Sequence, residues 1–110
     1  MSPMDAPELL RRYCINDARL ASNAESPTMQ LEWRTAALVR IAALIAVGAP
    51  DASMRAAVDD AIAAGVESDE IIAVLDGLVG IVGLPRVVAQ APRIAHALGY
   101  GDSDDLGVDG

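Results

Sequence analysis

Residues 35–48, TAALVRIAALIAVG, contain one charged side chain, Arg40, and no polar face. A helix that is apolar all round must be surrounded by protein. The segment is shorter than the roughly 20 apolar residues of a membrane span, and an arginine sits near its middle. The pattern predicts a central buried helix that starts near residues 32–34 and ends at Gly48, where glycine can take the left-handed conformation that closes helices. Ala49 and Pro50 complete the break. Residues 71–82 form a second, equally apolar run with one charge, Asp76, and glycines at 77, 80 and 83 that would let another helix approach closely. Two buried helices carrying one charge each suggest a pair. Arg40 meets Asp76, or each finds its counterion across a subunit interface.

Between and around these runs the periodicity is amphipathic. Asp5, Pro7 and Glu8 make a helix start, with Asp5 as N-cap and Glu8 as its capping-box partner. Leu9, Leu10, Tyr13 and Cys14 then follow at helical spacing, with Arg11, Arg12 and Arg19 outside the stripe. Residues 21–30, ASNAESPTMQ, are rich in turn formers and read as a loop or arm. Asp51 is placed to cap a third helix with Met54, Val58, Ala61 and Ile62 on one face and Arg55, Asp59 and Asp60 opposite. Gly65 and Val66 close it, and Ser68, Asp69 and Glu70 open the next helix with acids at its positive end. Pro85 begins a last helix that Pro92 is expected to kink or split before Gly99. The expected fold is all-α: about five helices around a buried helical hairpin, one domain over residues 1–100 with residues 1–30 as helix and arm. Residues 101–110, with four aspartates and three glycines, are expected to be a mobile acidic tail.

Composition narrows the function classes. All eight basic residues are arginine, and they face 16 acids for a net charge of −8, the wrong sign for binding a phosphate backbone. Nucleic acid is not an expected partner, nor is a membrane. A single cysteine cannot form an internal disulfide, and no charged n-region followed by an apolar h-region opens the chain, so a reducing cytoplasm is the expected compartment. With 53% hydrophobic residues in 110, one small domain cannot hide all its apolar surface, which predicts a homo-oligomer.

The runs LEWRTAALVRIAALIAVG, RAAVDDAIAAGVESDEIIAVL and GLPRVVAQAPRIAHALGY together resemble the carboxymuconolactone decarboxylase-like family, which includes the alkylhydroperoxidase D-like proteins. The resemblance covers roughly residues 31–100 and rests on Leu31, Arg34 and Thr35 and on the pattern AxxxGVxxDEI that ends at Ile71. It implies an all-α fold built on a helical hairpin and assembled into trimers or hexamers. Peroxidase-type members place a CxxC pair at the start of the helix after the break, a histidine four residues past the second cysteine, and a glutamate in the preceding helix. Aligned on Gly65, those positions are Pro50, Ser53 and Ala57; aligned on the preceding helix they are Ala49, Ala52 and Ala56, with the glutamate position at Ala37 or Leu38. All four functional side chains are missing under either register.

One cysteine cannot both attack and resolve, so a single-chain dithiol cycle is excluded. Alanine cannot replace a histidine in proton transfer, which counts against the decarboxylase-type mechanism as well. The remaining candidate site is Arg40, Asp76 and His96: a structural charge pair, or a contact for a small organic acid or lactone. His96 also fits a helix-end histidine offsetting the dipole, Cys14 a buried inert thiol, and Trp33 an anchor at the entrance of the central helix. No metal constellation and no cofactor motif is present in the sequence. The expected role is an oligomeric scaffold or small-molecule binding module, with a relocated enzyme site or a subunit packing on a different protein as the alternatives.

Overall fold

The computed structural model describes residues 5–23 and 31–100. The expected acidic tail at 101–110 and most of the arm at 21–30 lie outside the described residues. The chain divides into two compact units, Met1–Leu31 and Glu32–Gly110. Every regular element among the described residues is helical.

In the first unit, α1 spans Ala6–Cys14 and a 3-10 segment spans Ala18–Asn23. Asp5 caps α1 as expected, accepting from the Glu8 amide at 2.9 Å. The reciprocal half of the capping box is not formed. Glu8 instead binds Arg11 at 2.9 and 3.1 Å and Arg12 at 3.4 Å, so the nearby guanidiniums draw its carboxylate away from the cap. Hydrogen bonding to Arg11, reinforced by Arg12, lowers the Glu8 pKa to about 2. Cys14 is exposed, correcting the expectation of a buried thiol.

The second unit is a helical bundle: α2 (Trp33–Val47), α3 (Asp51–Ala63), α4 (Ser68–Gly77), α5 (Val79–Val82) and α6 (Leu84–Ala97). α2 begins where the Glu32 carboxylate accepts from the Thr35 amide at 2.6 Å and ends where Gly48 turns left-handed at φ 71°. The Ala49 amide then reaches back to the Leu44 carbonyl at 3.0 Å, which satisfies a carbonyl the helix end would leave open. Pro50, rather than Asp51, is the N-cap of α3, and Asp51 is its first helical residue. α3 closes in the same manner as α2, with Gly65 at φ 91° and the Val66 amide on the Ala61 carbonyl at 3.0 Å.

The long apolar run after Ser68 is one helix in the sequence reading and two in the structure, broken at Leu78. Pro92 neither splits nor ends α6. Its ring lies on the exposed side of the helix, one turn after Val88, so the carbonyl that loses its partner is on the solvent side.

Ile41 and Ile45 of α2, Met54, Ala57, Val58 and Ala61 of α3, Val66, Ile71 of α4 and Ile94 of α6 form the core. α2 packs most extensively on α3 and α3 on α6, making the hairpin through Gly48–Pro50 the backbone of the unit. Only one face of α2 is covered. Trp33 is 81% exposed, and Val39 and Val47 are also exposed, so the central helix is half buried within its chain and Trp33 anchors nothing there. No helix among the described residues is long and apolar enough to cross a membrane.

Candidate functional site

Arg40, Asp76 and His96 are not brought together: no hydrogen bond or ion pair joins any two of them among the described residues. Arg40 lies on the open side of α2, 55% exposed, and donates to Asp60 of α3 at 3.2 Å. The expected pair with Asp76 is therefore corrected. α3 returns alongside α2 and presents its outward acid before α4 can. Asp76 stands exposed on α4 without an ionic partner among the described residues. His96 lies exposed in the last turn of α6, where a helix-end histidine belongs.

Three of the residues that carried the family resemblance, Arg34, Gly65 and Glu70, do meet, at the corner between α3 and α4. The guanidinium of Arg34, the second residue of α2, binds both oxygens of Glu70 at 2.5 Å and reaches the Gly65 carbonyl at 3.5 Å. Glu70 also accepts from the Glu67 amide at 3.0 Å, completing a capping box. That backbone bond, followed by the Arg34 contact, holds the Glu70 carboxyl below its ordinary range, and Glu70 in turn raises the Arg34 pKa. This cluster fastens the start of α2 to the next helical corner and offers no group poised for proton transfer.

A second arginine fastens the opposite corner. Arg86, Gln90 and Arg93 fall at i, i+4 and i+7 on α6 and face the connection between α2 and α3. Arg93 donates to the Ala49 carbonyl and pairs with Asp51 at 3.1 Å. The Arg86 guanidinium lies directly over Gly48, where any side chain would displace it, and Gln90 Nε2 is 3.8 Å from the position a Cβ at Gly48 would take. Gln90 is 3% exposed, and its Oε1 has no hydrogen-bond partner. Sequence reading passed over all three residues. The signal was their spacing on a face that otherwise carries Val87 and Ile94.

This corner is also where the resemblance places the family's functional side chains. Pro50 is exposed, Ser53 is half-buried, and Ala57 is sealed in the core beside Val58 and Met54. Ala37 and Leu38, on the facing helix, pack against the same core. In the other register Ala49 is buried, and Ala52 and Ala56 are exposed. Among the described residues no group of three His, Cys, Asp or Glu is arranged to hold a metal ion.

The carboxymuconolactone decarboxylase family model matches residues 7–97. The chain belongs to that family. The match takes in α1, which the resemblance read from residues 31–100 left out, and covers all of α2 to α6. No curated protein and no solved structure matches the chain.

Proposed function

We propose that this carboxymuconolactone decarboxylase family protein has left the chemistry of the peroxidase-type members and serves as an oligomeric helical scaffold in the cytoplasm. The observation that carries the reading is the start of α3: Pro50, Ser53 and Ala57 stand where the chemistry would reside, and the last of these is part of the packed core. Cys14, the one thiol of the chain, lies exposed on α1 and has no second thiol to resolve a sulfenic acid or disulfide. The apolar surface left open on α2, α5 and α6 supports assembly into a homo-oligomer, a trimer or hexamer by family resemblance.

A second reading, a binding module for a small organic acid, is favoured by Arg86. Its guanidinium has no ion-pair or hydrogen-bond partner among the described residues and lies over Gly48, on the same helix face as Gln90, whose buried amide oxygen is also without a partner. An enzyme built from Arg40, Asp76 and His96 has no such support, because those side chains do not converge.

The test combines three measurements on the full chain. Hydroperoxide consumption with a thiol reductant is expected at the buffer rate for the wild type and for Cys14→Ser alike; turnover lost in that variant overturns the reading. Light scattering at micromolar concentration is expected to give a mass above one chain, and a monomer contradicts the scaffold. Melting with acetate, succinate or benzoate decides the second reading: an upshift abolished by Arg86→Ala supports it, and no upshift removes it.

A further inference from the structure

Two of the exposed apolar rows among the described residues each have one charge in them. On α2, Trp33, Ala36, Arg40, Ala43 and Val47 are all exposed and follow one another at steps of three and four residues, the spacing of one continuous helical stripe. Arg40 is the sole charge from residue 35 to 50. On α4 and α5, Ile72, Ala73, Asp76, Gly77, Gly80 and Ile81 are exposed, and Asp76 is the sole charge from residue 71 to 85. A Cβ at Gly77 or at Gly80 would meet nothing within 4 Å, so the close approach these glycines permit is not used by any helix among the described residues.

We propose that these two rows cover each other between copies of the chain, with Arg40 of one copy paired to Asp76 of the next. The inference rests on the oligomeric reading above and names its contact. The occupant is a second copy because the rows match as they stand: both are apolar, each is interrupted once, and the interruptions have opposite sign. The row with large side chains, Trp33 and Val47, meets the row with open backbone over Gly77 and Gly80. Arg40 can make the contact without giving up Asp60, since a guanidinium has five donors and the present bond uses one. Asp76, by contrast, gains its first partner. An opposite-charge pair ringed by apolar contacts fixes the register of the two helices and penalises any alignment that slides them by a turn.

Charge reversal tests the pairing in the full chain, because both residues are exposed and neither variant removes core packing. Arg40→Asp and Asp76→Arg should each weaken assembly by about 100-fold or more, through like charges placed in contact. The doubly exchanged protein should assemble within a few-fold of the wild type. Asp60→Asn, which breaks only the pair within the chain, should leave the assembly unchanged. Circular dichroism melts confirm that each variant is folded. In a Cys14→Ser background, mixing Arg40→Cys protein with Asp76→Cys protein under mild oxidation should give a disulfide-linked heterodimer in preference to either homodimer. A wild type that is monomeric overturns the scaffold reading and this contact together. A wild-type oligomer indifferent to both reversals, or one that the double exchange fails to restore, overturns the contact alone and assigns the rows to another occupant, such as the chain's own α1.

Discussion

Four glycines of this chain predict opposite responses to the same substitution. Gly48 ends α2 at φ 71° and Gly65 follows α3 at φ 91°, whereas Gly77 and Gly80 sit in ordinary helical backbone facing open space. Placing alanine in the left-handed region costs about 1–2 kcal/mol, offset by about 0.4–1 kcal/mol from the less flexible unfolded chain. Gly65→Ala, with nothing within 4 Å of the new methyl, should therefore lose about 1 kcal/mol. Gly48→Ala should lose somewhat more, because its methyl displaces the Arg86 guanidinium and approaches Gln90 Nε2. Arg86 makes no hydrogen bond there to lose, so the extra is a few tenths of a kcal/mol at most, on the scale of dispersion contacts. Gly77→Ala and Gly80→Ala should instead stabilise an isolated chain, by up to about 1 kcal/mol each from helix propensity. For a domain of this size each kcal/mol moves the melting temperature by about 4–8 °C. Melts at low protein concentration would read the sign directly. At high concentration the contact proposed on Gly80 should reverse the gain, since a methyl occupies the space meant for another helix. Gly48→Ala that is neutral, or Gly80→Ala that is destabilising at every concentration, would refute the reasoning.

Ile71→Ala, at a side chain with no solvent exposure, should cost about 2–5 kcal/mol in urea unfolding, while Ile81→Ala, 77% exposed, should stay within about 0.5 kcal/mol in the dissociated chain. Stability should also fall with acid. The Glu70 pKa is depressed in the fold by the Glu67 amide and then by Arg34, so its contribution is fully present above the unfolded value of 4.5 and is lost as pH drops through the lower folded value. Arg34→Met should shrink that loss without removing it, because the backbone bond is the larger cause; an unchanged acid slope in urea titrations would contradict this.

Much of the fold was legible because helix ends are written locally. Glu32 with Thr35, Gly48 before Pro50, and Gly65 before Val66 each specify a boundary through a few neighbouring residues, and the structure places α2 and α3 within one residue of the expected limits. Burial was less legible, since it depends on what stands opposite. Residues 71–82 look like one helix because all but Asp76 are apolar or glycine, yet the helix is interrupted at Leu78, and after Gly83 α6 packs on α3. Cys14 looked buried because it lies on an apolar stripe, and Trp33 looked like an anchor for the central helix, but periodicity says only which residues share a face and not whether anything covers it.

Arg40 shows where the reading of the site could have gone further. A lone charge on an apolar helix looks buried, and the nearest thing to it by type was the lone charge of the other apolar helix. Hairpin arithmetic points elsewhere. With the turn centred between Ala49 and Pro50, residue 40 lies about as far before the turn as residues 59 and 60 lie after it, so an antiparallel return of α3 sets Arg40 against Asp60, as found at 3.2 Å. The same geometry removes the buried-pair argument: two groups more than half exposed form a surface pair, worth about 0–1 kcal/mol, not the 3–5 kcal/mol lost when a buried pair is broken. What keeps an arginine in the middle of an otherwise apolar face is then no longer the interior of the chain. A solvent-facing helix side needs several polar residues and this one has a single charge, so the face is suited to a partner that is apolar around one carboxylate. Asp76, exposed and unpaired among the described residues on a row of the same kind, meets that description within the sequence itself.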